Sequence, residues 1–246
     1  MGPQVNQRRR QVRLVATVLV AVLMAVAAVA ASAASLNGIN GADLFAWSTV
    51  DSPDLPLAYD HFDDCNSGVL NGDPPVVGND WAALNKDWRC QVTYSRTRNR
   101  NQATLADSAF IDVSQSDDLL VSAYLMRASR TAAGAGSGLA LFHDGSADHM
   151  YVVYQRGADQ ITIGKVVSGV DTQIASVSYL PRTNTMTIAV DIAQPTLDVL
   201  VNGSSVLTHT MTAGELTTFS SNTRFGVESD FDRRSQWDWF EVLDQS

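Results

Sequence analysis

"LDVLVNGSSVLTH", residues 197–209, consists of two short apolar runs around the dipeptide Asn202-Gly203. Val199 and Val201 are one period-2 step apart, so an extended chain puts them on one face. Val206 and Leu207 follow Ser204 and Ser205. Asn-Gly supplies the positive-φ residues that a tight hairpin needs. The stretch therefore reads as two antiparallel strands and their turn. The same letters match an N-glycosylation acceptor, Asn202-Gly203-Ser204, and no other Asn-x-Ser/Thr occurs in the chain. The turn explains them without a glycan, and a loop beside a ligand is the remaining alternative.

The same punctuation repeats outward from this hairpin. Turn chemistry separates short apolar or alternating runs at 81–85, 89–95, 108–113, 119–127, 138–143, 149–156, 160–167, 172–179 and 185–192. "TLDVLV", "SVLTHTM", "TRFGVES" and "WDWFEVLD" complete the series, and only "TAGELTTF" (212–219) offers a turn of helix. About a dozen strands with almost no helix between them imply antiparallel sheets packed face to face.

Charge and compartment narrow the function classes. The 246 residues carry a formal charge of −9, and only Lys86 and Lys165 are lysine. Residues 1–34 hold Arg8, Arg9, Arg10, Arg13 and no acid, leaving 13 basic against 26 acidic residues, or −13, for the body. Such a body argues against a nucleic-acid partner, which needs a positive surface. "NQRRRQVR" followed by the uncharged run Leu14–Ala34 and "ASA" at 31–33 reads as a signal peptide or a retained membrane anchor helix. The Ala-rich end favours cleavage. Either way the body is expected outside the cytoplasm or at the cell surface, with membrane contact only through an uncleaved anchor.

In an exported chain the two cysteines, Cys65 and Cys90, are expected to form a disulfide. Its loop of roughly 26 residues would contribute about 3–4 kcal/mol in the chain-entropy account. Residues 35–58 read as a leader with no helix period, and residues 59–246 as one domain.

"YDHFDDCNSGVLNGDPPVVGNDWAALNKDWRCQV" (59–92) has an acidic-aromatic first strand, a Gly-rich loop and then Trp81 and Trp88. "GLALFHDGSADHMYVVYQRGADQITIGKVVSGVDTQIAS" (138–176) has a polar turn, an aromatic strand and a "KVVSGV" hairpin. "MTIAVDIAQPTLDVLVNGSSVLTHT" and "RFGVESDFDRRSQWDWFEV" supply the closing strands. In order and spacing the body resembles the concanavalin A-like (LamG-like) jelly-roll superfamily, nearest the stand-alone domains of exported actinobacterial proteins. The resemblance implies an all-β, two-sheet antiparallel sandwich whose last strand returns beside the first, and a secreted or surface-tethered carbohydrate-binding protein without catalysis. A cell-envelope interaction protein on the same scaffold is the alternative, and a glycan hydrolase the third.

Glucanases of the superfamily use a Glu-x-Asp-x-Glu strand, in which alternation sets carboxylates on one face of a cleft. The only three Glu here, Glu215, Glu228 and Glu241, are 13 apart each time, so that motif is absent. The nearest approach is Glu228, Asp230 and Asp232, read as a solvated turn. His143 and His149 in "HDGSADH" flank Asp144-Gly145, read as a hairpin tip in preference to a metal site. Arg96, Arg98 and Arg100 share one face if extended, as a solvated edge or a contact for an acidic cell-wall polymer. Asp60, Asp63 and Asp64 flanking the first strand, with Asp238 and Asp244 flanking the last, are the candidate for a structural calcium. Tyr124, Arg127 and Tyr151 are candidate sugar contacts on the concave face, with Tyr154 on the other side of its strand from Tyr151. Trp81, Trp88, Trp237 and Trp239 are expected in the core.

Overall fold

The computed structural model describes residues 56–62, 70–84, 88–91, 96–99, 107–127, 136–181, 183, 185–229 and 235–246. The chain divides into two units, 1–47 and 48–246. The expected signal or anchor helix lies outside the described residues. No helix among the described residues is long and apolar enough to cross a membrane.

The body is a two-sheet antiparallel jelly-roll sandwich. Its strands are β1 (Pro56–Asp60), β2 (Ala82–Ala83), β3 (Trp88–Gln91), β4 (Arg96–Asn99), β5 (Asp107–Asp112), β6 (Leu119–Arg127), β7 (Ser137–His143) and β8 (His149–Gln155). They continue with β9 (Gln160–Val167), β10 (Val170–Ser178), β11 (Met186–Ala193), β12 (Thr196–Val201), β13 (Ser204–Thr210), β14 (Arg224–Ser229) and β15 (Gln236–Asp244). The one helix among the described residues, α1 (Ala213–Phe219), fills the place of "TAGELTTF". An eight-stranded sheet runs β13-β12-β11-β6-β15-β4-β3, with β1 also on β15, and a seven-stranded sheet runs β10-β9-β8-β7-β14-β5-β2. First and last strands are neighbours, as expected, with Tyr59 opposite Glu241. The first strand begins at Pro56, three residues before the body's expected start.

Local chemistry accounts for the turns. Val201 pairs with Ser204, so Asn202-Gly203 is a two-residue loop, and both residues have positive φ (49° and 76°). Asn202 also ties the loop to β11: its Oδ1 accepts from the Thr187 N–H at 3.0 Å. Ser168-Gly169 makes the matching turn between β9 and β10, again with both φ positive.

Period-2 alternation builds the core. On β6, Leu119, Val121, Ala123 and Leu125 face inward; on β8, Met150, Val152 and Tyr154 do. Trp88 and Trp237 pack at 5.3 Å between ring centroids, and Trp81 meets Phe240 at the same separation. Each such ring removed from water contributes on the order of 2–3 kcal/mol. Trp239 is buried too, but on the other face of β15. The register slips at Asp238, so Trp237 opposes inward-facing Leu125 while Trp239 opposes Tyr124. A one-residue bulge re-aims the chain in this way.

Candidate functional site

The polar side chains that the core leaves over collect on the outer face of the seven-stranded sheet. Phe225 and Val227 of β14 point into the core, so Gly226 and Glu228 point out. The same parity sends His149, Tyr151 and Val153 out from β8, Thr162 and Gly164 out from β9, and Ser108 and Phe110 out from β5. Strand register arranges them in three rows. One row reads Ser108, Glu228, Gly138, Val153, Thr162. The middle row reads Phe110, Gly226, Ala140, Tyr151, Gly164. In the third, His143 of β7 sits opposite Arg224, and His149 opposite Val166. With strands about 4.8 Å apart, a five-strand row spans roughly 19 Å.

The middle row is a low floor. An added Cβ at Gly164 would overlap the Tyr151 ring, and one at Gly226 would overlap the Ala109 carbonyl. Aromatic rings stand over this floor in a continuous stack. Phe110 stacks on His143 at 4.1 Å, His143 on His149 at 4.9 Å, and His149 meets Tyr151 at 6.3 Å. The Tyr151 hydroxyl donates to Asp171 Oδ1 at 2.7 Å.

Hydrogen bonds fix the two imidazole tautomers. The His149 ring nitrogen Nδ1 is 2.8 Å from the Ala147 carbonyl, so it carries the hydrogen and Nε2 is left a lone pair. His143 Nδ1 instead accepts from the Gly145 N–H at 2.9 Å, so its hydrogen sits on Nε2. Burial first, then the neighbouring His149, brings the His143 pKa down to about 3, and the ring is neutral. Burial likewise pushes the Glu228 carboxyl above its usual range, against the pull of His149.

Several of these groups lack partners among the described residues. Among the described residues, Glu228 Oε1 and Oε2, Thr162 Oγ1, Ser108 Oγ and His143 Nε2 are buried with no hydrogen-bond partner. The contact of Glu228 Oε2 with His149 Nε2, 3.4 Å, is ionic in range but long for a hydrogen bond. Arg224, opposite His143, is engaged elsewhere: its Nη1 donates to the Asp144 carbonyl at 2.6 Å.

Several sequence expectations are corrected here. Glu228 does not lie in a solvated turn; it is a fully buried residue of β14. Tyr124 and Tyr151 are not partners on one face, since Tyr124 is on β6 of the eight-stranded sheet and Tyr151 on β8 of the other. Arg127 closes β6 with Tyr124. Arg96 and Arg98 do not form an edge, because β4 is paired on both sides, with β3 and β15; Arg100 lies outside the described residues. Asp144-Gly145 does form a hairpin tip, where Asp144 Oδ1 accepts from the N–H groups of Ser146, Ala147 and Asp148. Tyr154 does face the core, opposite to Tyr151.

Of the calcium candidates, Asp60 is a buried acceptor, taking the Trp81 Nε1–H at 2.6 Å and the Phe62 N–H at 2.7 Å. Asp238 is half-buried at the β15 bulge, and Asp63 and Asp64 lie outside the described residues. No group of three or more His, Cys, Asp or Glu among the described residues is placed to hold a metal ion. Cys90 is on β3 and Cys65 lies outside the described residues.

The sequence offered His143 and His149, Tyr151 and Glu228 separately but not their juxtaposition, because the members come from five strands, and Ser108 and Thr162 carried no signal. Gly138, Gly164 and Gly226, each in mid-strand, were the available signal of a close approach.

No known family profile matches the chain, and no curated protein matches it. Solved structures share the fold. A Bacillus licheniformis beta-glucanase superimposes with a TM-score of 0.50 and 11% identity over 75% of this chain and 96% of its own. A protein from work on endo-acting O-glycanases of human gut microbiota gives 0.52 and 10% over 78% and 100%. The GH43 protein BlXynB of Bacillus licheniformis gives 0.54 and 12% over 79% and 40%.

Proposed function

We propose that the protein is an exported carbohydrate-binding jelly roll that holds a glycan on the outer face of its seven-stranded sheet without cleaving it. The observation that carries this reading is the set of partnerless polar atoms on Glu228, Thr162, Ser108 and His143 beside a stack of rings. A buried polar atom left without a partner costs about 1–3 kcal/mol, and a ligand that supplies the partner recovers it. A sugar offers hydroxyls for such atoms and a C–H face for Phe110 or Tyr151, the mixture found in small-molecule sites. The fold's solved neighbours include proteins named for acting on glycans, which fits this chemistry.

The basic and apolar N-terminus supports export, whether as a secreted or a tethered protein, and in that setting a Cys65–Cys90 disulfide. A structural calcium on Asp60, Asp63, Asp64 and Asp238 belongs to the same proposal. Arg96, Arg98 and Arg100 are a second contact for a cell-wall polymer. Glu228 favours a rival reading, because a carboxyl with a raised pKa is what a general acid needs.

Glycan-array binding by the purified protein, with calcium and with chelator, tests the reading. Selective binding is expected, and a blank array in both conditions overturns it in favour of an envelope interaction protein. Release of reducing ends from a bound glycan, lost in Glu228→Gln, would make it a hydrolase.

A further inference from the structure

The chain holds four Asn-Gly pairs, of which Asn71-Gly72 and Asn202-Gly203 lie among the described residues. Such a pair carries a reaction of its own. The glycine nitrogen, after giving up its proton, bonds to the asparagine Cγ. The Cγ–Nδ2 bond breaks, and ammonia leaves with that proton returned to it. Water then opens the resulting imide at one of its two carbonyls, leaving aspartate or isoaspartate. Glycine favours the attack because no side chain shields its nitrogen. We propose that Asn202 is a latent modification site of this kind, held closed by Thr187 and converted to isoaspartate when that hold opens. The site lies on the eight-stranded sheet and needs no glycan.

Asn202 is exposed at the tip between β12 and β13, but its carboxamide is pinned. Thr187, buried on β11, binds this residue twice. Its N–H donates to Asn202 Oδ1 at 3.0 Å, and its carbonyl accepts the Asn202 N–H at 3.0 Å. For Cγ to approach the Gly203 nitrogen, Oδ1 must leave the Thr187 N–H, and a buried backbone donor then loses its partner. That penalty keeps the reaction slow in the folded protein. The nucleophile itself is open: among the described residues no acceptor takes the Gly203 N–H. Asn71 differs. Its Oδ1 accepts the Ala83 N–H at 3.1 Å, and the Gly72 N–H donates to the Trp81 carbonyl at 2.7 Å. Both reacting groups are held at Asn71, against one at Asn202, so Asn202 reacts first.

The two products act differently on the hairpin. Aspartate keeps an acceptor for Thr187, and Asp-Gly suits the same turn. Isoaspartate puts an extra methylene into the main chain, and in a two-residue loop that upsets the register of Val201 with Ser204. Within its sheet β13 is held only by β12, so it is the strand that loosens. It carries His209, whose Nε2 is 3.0 Å from Glu215 Oε2, so α1 loses a tie with it.

The test is peptide mapping by mass spectrometry of the full chain held at pH 8, folded or in concentrated urea, with aspartate and isoaspartate told apart by fragmentation. In the folded protein Asn202 is expected to convert roughly tenfold or more slowly than in urea, yet ahead of Asn71. Its rate should rise with mild urea in step with exchange of the Thr187 amide hydrogen, followed by NMR. Protein enriched in isoaspartate at 202 is expected to melt below the parent, while Asn202→Asp melts with it. Equal conversion in folded and unfolded chains, or a rate indifferent to Thr187 exchange, would overturn the hold. Asn71 converting first would overturn the choice of site. An unchanged melt for the isoaspartyl protein would overturn the effect on β13.

Discussion

His149 Nε2 lies 3.4 Å from Glu228 Oε2, and both side chains are buried. They come from rows on either side of the Gly226–Ala140 pair and meet over it, which only small floor residues permit. His149 Nδ1 lies 2.8 Å from the Ala147 carbonyl, which leaves Nε2 toward Glu228. The two groups are therefore electrostatically coupled, and burial decides how Glu228 responds to pH and to substitution.

Glu228→Gln is expected to stabilise the protein at neutral pH. Burial raises the Glu228 pKa, so the folded state holds this proton more tightly than the unfolded chain does. Stability from this group is then complete below about pH 4.5 and falls as pH rises through its folded value. Glutamine keeps the shape and cannot ionise. A gain of about 1 kcal/mol would raise the melting temperature by roughly 2–4 °C in a domain of this size. Calorimetric melts of both proteins at pH 5 and pH 8 check it: the gain must be larger at pH 8.

His143 acts in the opposite pH window. Its folded pKa of about 3 is well below the ordinary 6.5, set by burial and by His149 and Arg224 against the pull of Asp144. Between those values the unfolded chain binds a proton that the folded protein refuses, so stability drops as pH falls from 6.5 toward 3. The slope approaches about 1.4 kcal/mol per pH unit for one group. His143→Phe preserves the stack on Phe110 and is expected to flatten that part of the profile, measured by urea unfolding at half-unit steps.

Glu215 fastens the two sheets to α1. Its carboxylate takes the Lys165 ammonium of β9 at 2.9 Å and His209 of β13 at 3.0 Å. It also accepts the Thr212 N–H at 2.8 Å, closing a capping box. Burial works against ionisation, but these hydrogen bonds outweigh it and bring the pKa to about 2. The contribution is full above pH 4.5 and is lost as pH falls from there to about 2. Glu215→Gln is expected to cost about 2 kcal/mol at pH 7 and almost nothing at pH 2. Paired denaturant melts at the two pH values decide it.

The sandwich was legible because alternation and turn chemistry are local. Asn202-Gly203 declared a hairpin, Leu119–Arg127 declared its strand end to end, and "TAGELTTF" declared the helix Ala213–Phe219. Face assignments within a strand were legible too, as Tyr151 and Tyr154 show. The site was not, because it depends on which strands become neighbours. Nothing near Glu228 in the sequence announces His149, 79 residues away, or that an acid before "DFDRR" is buried. The pairing of Tyr124 with Tyr151 failed for the same reason: each strand was read correctly, but they belong to different sheets. Arg96 and Arg98 looked like an edge because solvated edges and paired strands share the same short polar alternation.

Gly164 gives the sharpest test of the floor. A methyl group there would overlap the Tyr151 ring, which lies flat across the glycine and is held at its far end by Asp171. Gly164→Ala alone must tilt that ring and loosen the hydroxyl bond, an overpacking expected to cost about 1–3 kcal/mol. The sign should reverse once the ring is gone. In a Tyr151→Ser background the ring atoms nearest the added methyl are gone, and replacing a mid-strand glycine by alanine then gains roughly 0.5–1 kcal/mol. The double-mutant cycle isolates the difference as the coupling between floor and ring. Denaturant melts of the four proteins supply it. A cost for Gly164→Ala that is the same in both backgrounds would mean that the glycine serves the strand and not the ring above it.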